Sequence, residues 1–539
     1  MTATLLLNAR IRTMDPARPF AEAVLIRSGR IAAVGDAAAL RVQAPGARVI
    51  DAGGRLCLPG FQDAHVHLLD GGVDLVVAAP LWEVATLPGL CQALSAHAAA
   101  CDLPLVMGAG WQAGVFGDHN LSAAVLDAVV PDRPVMLYDS SYHLAVVNSA
   151  ALRMAGIGVE TGDPPKGHFV RDGDGKPTGM LHEEATRILR DRLPPIGTDT
   201  HFAGLMAAQS LANRHGITGI LDPRIEPHNA AAYARAAAEG RLTLRVAGAA
   251  LVTPEDTAAT ALPRLTALRA AHPGPMFHVH SAKFFLDGVF ENGTAACLAP
   301  CMDGTNADTM FDPAAIRVLF TALDAARFQI HVHAIGDAAT RAALDGIEAA
   351  RGTNGPWPAR HQIAHLQLVH PHDMPRLAAL GAMANIQPLW ARFDPAIPDI
   401  ALDLIGQDRW PMTYPFRALL DAGATACLSS DWPVTTLNPF PIIETAVTRR
   451  PQHHEGMRPT FQPEHCLTVE EAVAGYTIHA AAACWREDLT GMIRPGLSAD
   501  LILLDRDIFA CAPEEIGGAQ VDLTLFEGRE VHRAPGFGG

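Results

Sequence analysis

The sequence predicts an α/β protein: an eight-stranded parallel barrel wrapped by helices, with a smaller β module made from both ends of the chain. Three observations predict it. Apolar segments of strand length alternate with Ala-rich helical segments through the middle of the chain. The first and last stretches carry short alternating strands with turns and no helical rhythm. Histidines and an aspartate recur where the apolar segments end, which is where a barrel of this kind collects its functional groups. At 539 residues, 49% hydrophobic and 18% charged, the chain suffices for one very large domain or a barrel with a satellite.

Residues 1–56 read as short strands, with Ser28-Gly29-Arg30 as a hairpin turn, and residues 485–539 share that texture. Each terminal part is too small for its own core, so the two are expected to form one composite β-sandwich. Residues 57–484 form the barrel. Its strands are expected at Cys57–His67, Ile217–Asp222, Leu242–Ala249, Met276–Leu286, Phe328–Ala334, Arg360–Leu366, Ala382–Gln387 and Ala424–Ser430. Helices are expected at Asn229–Glu239, Pro313–Ala326, Asp337–Ala350 with Asp337 as N-cap, and His372–Leu380. The interval 74–211 breaks the rhythm with strands and helices of its own and reads as an inserted lobe over the barrel mouth.

The net charge of -16 and the lack of basic clusters exclude nucleic acid and an anionic membrane surface as natural partners. No apolar stretch reaches the roughly 18 residues of a membrane span, and the three leucines near the start are too short for a signal-peptide core. Nine scattered cysteines without a C-x-x-C pair suit reduced thiols in a cytoplasm, and Cys297 and Cys301 read as incidental. A small molecule is the expected partner, and a homodimer the base-rate assembly for this size.

His65-Val66-His67 closes the first barrel segment. In an extended strand, positions i and i+2 point the same way, so both imidazoles can face one ion. A lone His-x-His is weak in a chain with 24 histidines, and the spacing recurs at His278/His280 and His331/His333. Company in the right order strengthens it: Lys283, His333, His365 and Asp431 each stand at or near the end of a short apolar run. His278 and His280 lie deeper in their strand and read as buried, hydrogen-bonded histidines.

These segments, from Pro59 to His67, around Lys283, His333 to Asp337, around His365 and Ser430 to Pro433, resemble the metal-dependent amidohydrolase superfamily, in particular its YtcJ-like branch. Gly108 to Trp111, His143 to Leu152, Asp172 to Gly179 and Pro495 to Leu501 extend the resemblance over nearly the whole chain. It implies a distorted TIM (β/α)8 barrel with one or two divalent ions at its mouth, zinc being the default. It also implies a ligand set of His65, His67, Lys283, His333, His365 and Asp431. In the two-ion form, His65, His67 and Asp431 hold the inner ion, His333 and His365 the outer, and Lys283 is shared. His333 rather than His331 matches the branch position. Ala364 stands where the branch usually has Glu, a departure that touches the orientation of His365 or substrate preference.

Lys283 is one of only three lysines among 41 basic residues and sits inside an apolar strand. A desolvated amine has a lowered pKa, and a neutral amine can add carbon dioxide to give a bridging carbamate, which arginine cannot do. The bland alternative is a snorkelling or ion-paired lysine.

The expected reaction is hydrolysis of a non-peptide carbon–nitrogen bond in a small amide, N-formyl or N-acyl compound. A metal-activated hydroxide attacks, and Asp431 serves as general acid and base. His143 either hydrogen-bonds the substrate carbonyl or the oxyanion or ties a loop to the barrel, and Trp111 is a pocket wall by the resemblance or a core aromatic by its residue type. A heterocycle deaminase, or an esterase, lactonase or carbamate hydrolase, would use the same centre. A catalytically dead binding barrel is the reading from another class, and the full ligand set speaks against it.

Overall fold

The computed structural model describes residues 3–112, 121–393, 398–451 and 459–538. Its centre is a single eight-stranded parallel sheet that curls into a nearly closed barrel. In chain order the strands are β1 (Phe61–Asp63), β2 (Ile217–Ile225), β3 (Arg245–Leu251), β4 (Phe277–Phe285), β5 (Gln329–Ala334), β6 (Gln362–His365), β7 (Met383–Ile386) and β8 (Thr425–Leu428). Each pairs in parallel with its sequence neighbour. No ladder joins β8 to β1, but single bonds just past their ends close the ring: Ala64 N–H to Leu428 O at 3.3 Å, Asp431 N–H to His65 O at 2.9 Å and His67 N–H to Trp432 O at 2.9 Å.

The expected first strand is corrected. Cys57–His67 is two strands broken at Gly60, where an added Cβ would lie 2.3 Å from Thr218 Oγ1. Leu56–Pro59 leaves the barrel and pairs antiparallel with Leu501–Leu504, while β1 pairs with β2. His65 and His67 therefore follow the strand instead of lying in it, and His67 is the residue just before the helix Leu68–Val77. Asp337 is likewise the first residue of its helix, Asp337–Asn354, with Gly336 as N-cap. The other expected helices appear shifted, at Pro227–Ala238, Pro313–Ala325 and Met374–Leu380.

The two chain ends share one module. Strands Thr4–Leu7, Ala23–Arg27, Arg30–Gly35 and Arg48–Asp51 form one sheet. The second sheet runs Arg529–Arg533, Val521–Phe526, Leu501–Leu504, Leu56–Pro59, Arg10–Arg12 and Phe20–Ala21, so both termini contribute. Between the sheets, Leu6, Ile11, Val24, Ile26, Cys57, Leu501, Leu503, Leu523 and Leu525 are buried as one cluster, alternate residues of each strand facing inward. The Ser28-Gly29 turn has φ of 52° and 77°, the left-handed pair that a two-residue hairpin requires.

Between Ala78 and Glu183 a third sheet of six strands is built around its own core of Leu90, Leu94, Val106, Trp111, Leu137 and Val146. The helix Thr198–Arg214 then packs along Leu68–Val77 and delivers the chain to β2. Among the described residues no helix is long and apolar enough to cross a membrane, and all nine cysteines are free thiols.

Candidate metal centre

At the carboxyl end of the barrel, side chains from distant segments converge. Nitrogens of His65 and His365 and a carboxylate oxygen of Asp431 all lie within 4.8 Å of one another, and all three residues are buried. Asp431 Oδ1 stands 3.4 Å from His65 Nε2 and 3.5 Å from His67 Nε2. The His333 and His365 rings are 4.3 Å apart at their centroids. Lys283, from β4, is 0% exposed, and its Nζ, 4.4 Å above the Phe285 ring, has no hydrogen-bond partner. Asp431 Oδ1 has none either. Buried polar atoms almost always find partners, so an orphaned carboxylate oxygen facing a cluster of imidazoles fits a divalent cation, and the orphaned amine fits one once it is carboxylated.

His65, His333 and His365 each have one ring nitrogen hydrogen-bonded by the protein, and His67 faces a carboxylate at longer range. His65 Nδ1 lies 2.9 Å from His331 Nε2, His67 Nδ1 3.9 Å from Asp70 Oδ2, and His365 Nδ1 3.0 Å from Gln387 Oε1. His333 Nε2 lies 3.2 Å from Gly288 O, leaving Nδ1 as its nitrogen available to an ion. Fixing one ring nitrogen sets the tautomer and aims the other, the usual arrangement around metal-binding histidines. Gln387 is held in turn, donating to Asn385 Oδ1 at 3.0 Å and Ser429 Oγ at 2.7 Å. His331 is thus a support behind His65. Replacing it with leucine is expected to weaken metal affinity about 10–100-fold, read by competition with a chelator, while glutamine, which keeps an acceptor, retains most of it.

Two aspartates brace the loops that carry the cluster. Asp63 accepts from the backbone of His65 (3.1 Å) and Ser430 (3.2 Å), tying the ends of β1 and β8 together. Asp287 accepts from Ile335, Gly336 and Ala296 N–H at 2.8–3.0 Å, tying the ends of β4 and β5. His365 (φ 78°) and Asp431 (φ 54°) both occupy the left-handed region. Such backbone costs of order 1–3 kcal/mol per residue and concentrates where geometry serves a site.

Burial dominates the electrostatics. It depresses the Lys283 amine, which the Asp431 charge pushes back up, and raises the Asp431 carboxyl, which Lys283 pulls down. His65, His67, His333 and His365 are all held neutral, first by burial and then by the surrounding positive charge. Neutral imidazole is the ligating form.

A cavity of about 480 Å³ opens above the cluster between barrel loops and the inserted sheet. His65, His67, His333, His365, Asp431 and His143 all line it. His143 Nδ1 is 2.8 Å from Glu183 Oε2, and Thr294 Oγ1 donates to Glu183 Oε1 at 2.8 Å. Burial alone would keep His143 neutral, but Glu183 and, more weakly, Asp139 and Asp431 raise it to about 9. Glu183 went unremarked in the sequence; its only signal is a carboxylate in Leu181-His182-Glu183-Glu184, next to an insertion with no readable code. Trp111 is corrected from pocket wall to core: it is fully buried in the inserted sheet and donates Nε1–H to Leu137 O at 3.3 Å. His278 and His280 stay apart from the cluster, half-buried in β4; Gln329 is the polar neighbour of His280, and His278 Nε2 has no hydrogen-bond partner.

Comparison with known proteins gives the same direction. Residues 48–532 match the amidohydrolase family model, and residues 23–47 match the imidazolonepropionase-like composite domain of bacteria. The chain is 29% identical over 525 residues to the putative amidohydrolase YtcJ of Bacillus subtilis, covering 95% of this chain and 96% of the relative. It is 29% identical over 546 residues to an N-substituted formamide deformylase of Arthrobacter pascens, covering 98% of each. An uncharacterized metal-dependent hydrolase from Pyrococcus horikoshii has the same fold, with a TM-score of 0.77 at 23% identity over 95% of this chain and 99% of that one. With a family match over most of its length, the chain belongs to the amidohydrolase family and is a hydrolase acting on carbon–nitrogen bonds.

Proposed function

We propose that the chain hydrolyses a small N-formyl or N-acyl compound at a centre of one or two divalent ions, zinc by preference. The observation that carries this reading is the convergence of His65, His67, His365 and Asp431 in one cavity, with the far nitrogens of His65 and His365 hydrogen-bonded by the protein. Nitrogen and carboxylate donors suit zinc. His65, His67 and Asp431 would hold an inner ion, His333 and His365 an outer one, and Lys283, carboxylated on Nζ, would join them. Such an ion supplies Lewis acidity and turns water into a nucleophile near neutral pH.

The protein's own groups do the rest. Asp431 receives the proton of the attacking water and delivers it to the departing nitrogen. His143, charged through Glu183, donates a hydrogen bond to the carbonyl oxygen as negative charge grows there. The apolar surfaces of Phe285, Phe311 and Trp390 dry the cavity and strengthen these interactions. The similarity to a formamide deformylase supports N-formyl substrates as the first class to try.

The deciding experiment is a screen of N-formyl, N-acyl and carbamate compounds, with esters, lactones and amino-heterocycles alongside, using zinc-, cobalt- or manganese-reconstituted protein. Release of formate or carboxylate with amine supports the reading. Ammonia from a heterocycle, or ester cleavage alone, replaces it with the corresponding activity.

A pH dependence follows from the His143–Glu183 pair. The folded-state pKa of about 9 lies above the ordinary 6.5, so the pair's contribution is fully present below pH 6.5 and lost as pH rises through 9. Activity is expected to fall along an alkaline limb near pH 9. Glu183→Gln moves that limb to lower pH, and kcat/KM profiles of both proteins check it.

A further inference from the structure

The cavity is lined by two arginines whose contacts with acidic groups are long, and one of which keeps a buried donor free of any acceptor. Arg190 ends the helix Glu184–Arg190 of the inserted region, and Arg224 lies near the end of β2. Both line the cavity. Arg224 Nη2 is 3.4 Å from Glu226 Oε1, while Arg190 Nη2 is 3.8 Å from Glu226 Oε2 and 3.6 Å from Asp191 Oδ1. None of these reaches the 2.7–2.9 Å of a charge-assisted hydrogen bond. The neighbouring Arg187 differs, bonding Glu184 Oε1 through Nε at 2.8 Å and Asp191 Oδ2 at 3.0 Å. Arg224 Nε is buried with no acceptor at all.

Their acidic neighbours stand at long range. Glu226 lies within 4 Å of both guanidiniums, His228 approaches it too, at 3.9 Å, and Asp70 and Asp191 add their charges around Arg190. Asp70, also in the wall, faces His67 Nδ1, and Asp191 is engaged by Arg187. A forked guanidinium pair with spare donors recognises a planar carboxylate. Phe285, Val289, Met310 and Phe311 add apolar surface to the same cavity.

We propose that Arg190 and Arg224 form a carboxylate subsite, and that the natural substrate is an N-formyl or N-acyl compound that carries both a carboxylate and an apolar group. The substrate class rests on the hydrolytic reading above; the subsite itself does not, so its test reads binding rather than turnover.

Calorimetric titration of the full-length protein with 3-phenylpropionate and with 3-phenylpropanol compares a carboxylate with a neutral probe of similar shape. The zinc-loaded and chelator-treated protein are both expected to prefer the carboxylate at least tenfold. Arg190→Gln and Arg224→Gln should each weaken carboxylate binding about 10–100-fold, the worth of a hydrogen bond to a charged group, and Arg224→Lys should fall between. Equal binding of the two probes by the wild-type protein overturns the subsite whether or not any variant folds. So does a preference that disappears on chelation yet survives both glutamine variants, because the carboxylate would then sit on the ion. Failure of every N-acyl compound to turn over, with the preference intact, would remove the hydrolytic reading and leave the subsite.

Discussion

Asp431→Asn is expected to lower kcat/KM by about 10²–10⁴-fold, the span associated with losing a positioned acid–base group, with an unchanged circular dichroism spectrum. Asparagine is the informative substitution because the residue sits at φ 54°, a conformation that Asn tolerates as well as Asp. Alanine there adds backbone strain to the chemical loss, so a lower melting temperature for Asp431→Ala than for Asp431→Asn separates the two effects. Asp431 is also a candidate ligand, so bound metal should be measured by elemental analysis in the same samples. Retained activity in Asp431→Asn would dismiss the acid–base assignment.

Lys283→Met is expected to split activity from stability. Lys283 Nζ makes no hydrogen bond, so its removal breaks none, while a buried charge is replaced by an apolar chain of similar length. Burial holds its folded pKa below the ordinary 10.5. For a base shifted down, the unfolded chain binds more protons, so the folding penalty is full below the folded pKa and vanishes above 10.5. Metal-free Lys283→Met should therefore melt higher than metal-free wild type near pH 6, with the gap closing toward pH 10. Activity should fall at least about 100-fold, beyond the cost of losing an outer support. Wild-type metal content and turnover in this variant would remove Lys283 from the centre.

The barrel was legible in the sequence because parallel strands buried on both faces read as apolar runs, and helices between them as Ala-rich stretches. The candidate centre was legible for a related reason: functional groups follow the ends of such runs, so His365 and Asp431 announced themselves by position. Periodicity could not show that Leu56–Pro59 and Phe61–Asp63 belong to different sheets, since both are apolar and the break depends on Thr218 pressing against Gly60. Nor could alternation distinguish His331 from His333. They share a strand face, and only the tertiary approach of His65 decides which one supports and which one faces the cavity. Trp111 and Glu183 were misjudged or missed because the inserted sheet has its own core, and a chain-local pattern does not say which side meets the barrel.

The strand Leu56–Pro59 lies between Arg10–Arg12 and Leu501–Leu504 and runs on into the barrel. A nascent polypeptide can thus assemble most of its barrel on the ribosome but cannot seal that seam until its last forty or so residues have emerged. Translation that stops before Leu501 would leave Leu56, Cys57 and Leu58 along a naked hydrophobic border, inviting intermolecular β-pairing. Loss of a segment remote from the histidines should therefore yield insoluble protein instead of a soluble, inactive one.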